Sequence, residues 1–297
     1  MAAGQEPDDI EALRQRALDL VNESRQAEEL DPLTLGDDAV EAAQAHADDM
    51  FERDYYAHVS PEGETVQDRY IDAGGSRWQL AAENIARCSD CSPPATGTTV
   101  QDLHDGWMDS PGHRKNILAP GLSTFGFGLT IGADQGLYAV QTFAGPGVPR
   151  GLEPDEEPIA LTAAEQGERA LDHVNGARDR ESLPALKLHQ ALSQAAANLL
   201  PPPEQEEFVL SASQDLPSAL PGGERTEWAS LSVLAGACGG CGTVVAAADI
   251  REFVRGWHND PQYRASLLDP EATHLGFALQ TNGKGRKIAL VVLGRPH

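Results

Sequence analysis

The sequence predicts an α+β fold, built twice along the chain, on three observations. Segments with apolar residues at helical spacing come first in each half, alternating segments that pair as a hairpin come last, and the two halves share an ordered set of residues. At 297 residues, 40% hydrophobic and 23% charged, the chain has the size and composition of two ordinary globular domains.

The helices come from periodicity. Residues Asp8 to Ala27 and Ala39 to Arg53 carry apolar positions at helical spacing, with alanine-rich faces that permit close approach. Residues Thr99 to Met108 read as a third helix, stopped by Pro111-Gly112. Phe125 to Ile131 and Gly136 to Phe143 alternate as strands, and residues 132 to 135 between them read as an antiparallel hairpin turn.

The repeat is read from matching residues. Leu18-Asp19-Leu20-Val21-Asn22 returns as Leu171-Asp172-His173-Val174-Asn175, followed by Arg25 or Arg178 and by a Leu-x-x-Leu-x-Leu segment. Further on the offset changes from 153 to 150. Trp78 with Cys88 and Cys91 answers Trp228 with Cys238 and Cys241; Gly106-Trp107 answers Gly256-Trp257; Gly126-Phe127 answers Gly276-Phe277. Ordered matches of this kind read as an internal duplication. Between the copies, residues 145 to 158 hold four prolines, three glycines and a run of acids, which read as an exposed linker. The expected organisation is a first domain over 8–147, a linker over 148–158 and a second domain over 159–297.

A formal net charge of −24 repels phosphate backbones and anionic lipid surfaces, which argues against a nucleic-acid partner and favours cations. No apolar run approaches the ~20 residues that cross a bilayer, so no transmembrane segment is expected. The first residues as written hold neither a basic nor an apolar leader region, which leaves a cytoplasmic protein or a mature form whose leader has been removed.

Four motifs carry the chemistry of the first copy: Tyr55-Tyr56-Ala57-His58-Val59-Ser60-Pro61-Glu62-Gly63, Ala82-Glu83-Asn84-Ile85-Ala86, residues 107 to 118 (Trp-Met-Asp-Ser-Pro-Gly-His-Arg-Lys-Asn-Ile-Leu), and Phe125-Gly126-Phe127-Gly128. With Tyr138, Gln141 and Phe143 they resemble the CAP superfamily of cysteine-rich secretory, antigen five and pathogenesis-related proteins, in its bacterial branch. The resemblance covers about residues 10 to 146, and reaches 160 to 297 through the repeat. It implies two tandem α-β-α sandwich domains, a secreted or periplasmic location, and a cleft where two histidines meet an acid. The matching residues are His58, His113 and Glu83, with Gln141 and Asn84 lining the cleft.

The residue types support the same trio. Two neutral imidazoles and a carboxylate make the core of many sites for a divalent cation, zinc or calcium here, and a carboxylate beside a metal-bound water can act as general base. Against this stands a local reading: His58 closing a turn, His113 capping a helix, and Glu83-Asn84 satisfying loop donors. The eukaryotic branches of the superfamily carry a second Glu three residues after the motif Trp, where this chain has Ser110. His46 reads as a packing or rim residue and His104 as a surface residue.

The second copy has lost the trio: Glu83 answers Val233, His113 answers Tyr263, and the His58 region answers residues 207 to 211, which hold no His. The cysteines persist in both copies. Cys88, Cys91, Cys238 and Cys241 are open to two local disulfides, a four-cysteine zinc site or a redox role. The favoured function is a non-enzymatic, secreted binding protein whose first cleft takes a divalent cation or a small hydrophobic ligand, with an extracellular or cell-wall partner and no organic cofactor. The alternative is a metal-assisted, peptidase-like hydrolase with His58 and His113 as ligands and Glu83 as base. A structural cell-wall or spore-coat factor is a third reading, by analogy alone.

Overall fold

The periodic N-terminal segment folds as α1, Ile10–Ala27, which buries Leu13, Ala17, Leu18, Leu20 and Val21 along one face. The computed structural model describes residues 9–91, 93–132, 136–153, 155–205, 216–222 and 226–297, in two compact units, 1–147 and 148–297.

After α1 the first unit runs β1 (Thr34–Leu35), α2 (Asp37–Glu52), α3 (Val66–Asp72), β2 (Leu80–Cys88), α4 (Gly97–Asp109), α5 (Pro111–Ile117), β3 (Thr124–Gly132) and β4 (Gly136–Gly145). Its four strands form one sheet in the order β1-β3-β4-β2, with β1 parallel to β3 and the other pairs antiparallel. The fold is mixed α/β. The β3–β4 pair closes from Thr124 opposite Ala144 to Gly132 opposite Gly136; the intervening residues 133–135 of the expected turn lie outside the described residues.

Alternation along β3 sorts the layers. Phe125, Phe127 and Leu129 enter a core with the α1 apolar face, Val100 and Trp107. Gly126 and Gly128 face the other way, against α2. A Cβ on Gly126 would stand 2.0 Å from the carbonyl oxygen of Ala39, and one on Gly128 2.3 Å from that of Ala43. The alanine face of α2 thus lies directly on strand backbone, an approach that only glycine permits.

Two features differ from the expectation. Glu83 and Asn84 sit on a strand, β2, and not in a loop, because β4 supplies a full ladder of partners to this short polar-interrupted segment. Pro111 also begins a helix rather than only ending one: it occupies the first turn of α5, where its missing N–H has no partner to lose.

The second unit runs α6 (Ala163–Arg180), β5 (Lys187–Leu188), α7 (Gln190–Leu199), α8 (Leu216–Ala219), β6 (Trp228–Cys238), α9 (Ala247–Asn259), α10 (Pro261–Leu267), β7 (His274–Thr281) and β8 (Lys287–Pro296). Its sheet order is β5-β7-β8-β6. Here Gly276 lies on α7, its hypothetical Cβ 2.0 Å from the carbonyl carbon of Leu192. Residues of 148–158 are fastened to this unit: Arg150 donates to the Gly239 carbonyl at 3.0 Å, and Arg251 reaches Gly151 O at 2.6 Å and Glu156 at 2.5 Å.

The same internal ties occur in each unit. Arg25 is buried and donates to the carbonyls of Asp31, Ile117 and Ala119; Arg178 is buried and donates to those of Pro184, Leu267 and Asp269. Asn22 exchanges hydrogen bonds with the backbone of Leu33, and Asn175 with that of Leu186. A guanidinium fork satisfies several loop carbonyls at once, as a lysine could not.

Candidate functional site

β2 is an edge strand, and its outer carbonyls would be open to solvent or to another strand. Side chains close them. Asn116 of α5 donates to Glu83 O at 2.9 Å, while Ile85 O accepts from the Trp107 indole and the Tyr56 hydroxyl, each at 3.1 Å. The motif tryptophan therefore seals the sheet edge, and Trp257 does the same to Ala235 O at 3.2 Å in the second unit.

Neighbouring residues on this strand face opposite ways. Asn84 turns toward α5, where its amide donates to Gln141 Oε1 at 3.0 Å and to the His113 carbonyl at 3.2 Å, and its oxygen accepts from Asn116 at 2.9 Å. Asn84 and Gln141 are both fully buried, and Gln141 Nε2 has no partner among the described residues. The two residues expected to line the cleft are thus the floor of a polar network. Asn116 belongs to it, and only its place in the third motif pointed there.

Glu83 turns the other way, toward α2 and α3. Its side chain is 2% exposed; Oε1 accepts from His58 Nδ1 at 2.9 Å and Oε2 from Arg69 at 2.9 Å. Arg69 also donates to the carbonyls of His58 and Glu64, so it holds the His58 loop in place as well as balancing the buried charge. His46 Nε2 donates to Ala57 O at 3.0 Å and lies 3.7 Å from Glu83 Oε1. Read from the sequence as a packing or rim residue, His46 is buried at 1% exposure and forms the third side of the carboxylate's surroundings. Arg69, which lies outside the four motifs, carried no signal in the sequence.

The imidazoles differ in charge preference. Accepting His58's proton in a hydrogen bond, Glu83 raises the His58 pKa above its ordinary value despite partial burial. Burial lowers that of His113, and the positive charge of nearby His58 adds to the effect. Burial also lowers His46, against the pull of Glu83. The structure thus sets His58 on Glu83 directly.

The residues present bear in part on a cation. A carboxylate on Nδ1 fixes the His58 tautomer and leaves Nε2, on a ring 56% exposed, as its remaining donor atom. Glu83 itself has both oxygens engaged, and among the described residues no group of three or more His, Cys, Asp and Glu is arranged to hold a metal ion. What the structure offers a cation directly is the His58 imidazole, with Glu83 behind it.

The cysteines pair locally, Cys88 with Cys91 and Cys238 with Cys241, which removes the four-thiolate zinc reading. His104, expected at the surface, is 4% exposed: it follows Val100 on the buried face of α4 and meets Ser24 Oγ at 2.8 Å. In the second unit Val233 takes the place of Glu83 on β6 opposite Val292, and Leu234 and Val291 take those of Asn84 and Gln141. Residues 207 to 211, answering the His58 loop, lie outside the described residues.

The family model of the cysteine-rich secretory protein family, CAP, matches residues 18–143 and 231–293. Over 139 residues the chain is 30% identical to the uncharacterized protein YkwD of Bacillus subtilis (strain 168), covering 47% of this chain and 49% of the relative. Over 112 residues it is 34% identical to the uncharacterized membrane protein YlbC of the same organism, covering 38% and 30%. The chain thus spans about half or less of the length of these relatives. Among solved structures, an extracellular protein containing a SCP domain from Bacillus anthracis str. Ames shares 31% identity over 45% of this chain and 40% of that one, with a TM-score of 0.37. Na-ASP-1 shares 10% identity over 100% and 92%, with a TM-score of 0.41. No helix among the described residues is long and apolar enough to cross a membrane.

Proposed function

The chain belongs to the cysteine-rich secretory protein (CAP) family, and from that premise we propose that it is an exported binding protein whose first unit takes a divalent cation on His58 and His113. The observation that carries this is the His58–Glu83–Arg69 chain of charge-assisted hydrogen bonds at 2.9 Å each. A carboxylate behind a histidine orients the ring and strengthens its outer nitrogen as a ligand. Imidazole donors favour zinc over calcium, which prefers oxygen. When bound, the ion supplies a Lewis-acidic anchor for an anionic or carbonyl-bearing group. Tyr56 and Val59, 46% and 47% exposed beside His58, offer apolar surface to a small hydrophobic ligand at the same place.

Binding is favoured over hydrolysis by the state of Glu83. A general base needs an oxygen open to water; both oxygens here are occupied, one by a permanent cation. The second unit is read as a tandem, degenerate copy of the same domain. Its support is the shared sheet order, the paired Arg25 and Arg178 ties, and the loss of the trio at Val233 and Tyr263. Export is supported by the two disulfides.

The test is calorimetric titration of zinc and of calcium into the whole protein, wild type beside His58→Ala/His113→Ala. Zinc binding lost in the double variant supports the site; unchanged binding rejects it. Esterase and peptidase activity abolished by Glu83→Gln would restore the hydrolase reading.

A further inference from the structure

The unit that lacks the histidine–glutamate trio has a cavity of its own. Between β6 and α9 lies a hollow of about 440 Å³, within the range of small-molecule sites, ~300–1,000 Å³. Its walls include Asp249, Glu252, Phe253, Trp257, Asp260 and Tyr263, and its floor is the strand from Ala235 to Cys238.

The residues that shape it are those in which the second unit departs from the first. Along the edge strand, Ile85, Ala86 and Arg87 become Ala235, Gly236 and Ala237, and each loses side-chain volume. Leu103 and His113 become Phe253 and Tyr263, which add aromatic wall. Phe253 lies over Gly236, where a Cβ would stand 2.9 Å from the ring, and tilts against Trp257 with ring centroids 5.9 Å apart. Thr99 and Leu137 become Asp249 and Lys287, a pair the first unit does not have.

Asp249 is the member of that pair that lines the hollow. Asp249 is 2% exposed; its Oδ2 accepts from Lys287 Nζ at 2.6 Å and from the Ala246 N–H at 2.8 Å. Its Oδ1 is buried with no hydrogen-bond partner among the described residues. A buried carboxylate oxygen left without a donor is costly, and a ligand N–H would satisfy it. Lys287 balances only one carboxylate. Asp260 stands further along the wall, and Glu252 pairs with Arg255, 65% exposed, in a contact of little energy. The opposing charge on the wall, Arg150, is held on the Gly239 carbonyl.

We propose that the second unit binds a small organic ammonium ion with an apolar body, its N–H directed to Asp249 Oδ1 and its body against Phe253 and Tyr263. Aromatic faces attract a desolvated cation, and a chain of net charge −24 concentrates cations at its surface. The site is independent of the one proposed for His58 and His113.

The test uses the full chain and three probes of one shape: 2-phenylethylammonium, neutral 2-phenylethanol and anionic 3-phenylpropionate. Binding is read by calorimetry and by the NMR shift of the Trp257 indole N–H. The ammonium is expected to bind saturably, with the alcohol weaker by about tenfold or more. Asp249→Asn should remove most of that preference. Phe253→Leu, which restores the residue type of the first unit, should weaken all binding. His58→Ala/His113→Ala should leave it unchanged. Should Asp249→Asn fail to fold, Asp249→Asn/Lys287→Met, which removes both charges of the buried pair, takes its place with the same expected loss of preference. Absence of a saturable shift with the ammonium, equal binding of all three probes, or full binding in the Asp249 (or replacement) and Phe253 variants would overturn the proposal.

Discussion

His58 Nδ1 and Glu83 Oε1 stand 2.9 Å apart, joining an exposed imidazole to a carboxylate that is almost wholly buried. The hydrogen bond raises the His58 pKa above the ordinary 6.5 in the folded chain. A group whose folded pKa is raised adds stability that is complete below its unfolded pKa and is lost as pH rises through the folded value. The increment is small, since the ring is more exposed than buried. Glu83→Gln should return the His58 titration to 6.5 or below, followed by NMR of its ring protons in metal-free protein. An unmoved titration would show that the carboxylate does not govern the ring.

Arg69 is the partner on which buried Glu83 depends. Arg69→Met keeps the side chain's bulk but leaves a charged carboxylate without its cation, a loss of about 3–5 kcal/mol when a buried pair is broken on one side. Urea unfolding measures it. Glu83→Gln in the Arg69→Met background should recover part of the loss, because the stranded charge is gone. A cost under about 1 kcal/mol for Arg69→Met would mean that water reaches Glu83 freely.

Two glycines of one unit should respond to alanine with opposite sign. Gly126→Ala drives a methyl to within 2.0 Å of Ala39 O, backbone that cannot yield without moving α2, and should cost about 3 kcal/mol or more. Gly106 sits inside α4 with nothing within 4 Å of its hypothetical Cβ. There alanine should stabilise by about 0.5–1 kcal/mol through helix propensity. Thermal unfolding of both variants is the measurement, and equal effects would contradict the packing of α2 on β3.

The main helices and the antiparallel β3–β4 pair were legible because each is a local pattern. Periodicity alone places α1, α2 and α4 to within a few residues, and the alternation around Phe125 and Phe127 places β3. β2 was not legible as a strand. Its segment carries Glu83 and Asn84 in its middle, and only the ladder to β4 makes such polar residues extended. His104 was misplaced for a related reason: a histidine reads as polar, whereas Val100 and Trp107 on its face carry it inward.

The sequence by itself determined the family, because that rests on the identity and order of motif residues, among them His58, Glu83 and His113. Only the tertiary structure decided how the trio is held. Glu83 and Asn84 are adjacent in the chain but face opposite sides of an edge strand, so one meets Arg69 and His46 and the other Asn116 and Gln141. Asp249 and Lys287, 38 residues apart in the chain, are joined by burial, with Asp249 on the wall of a cavity. In each case the physical reason is the same. Burial makes an unpaired charge or polar atom expensive, so the fold selects partners by distance in space, which spacing along the chain does not encode.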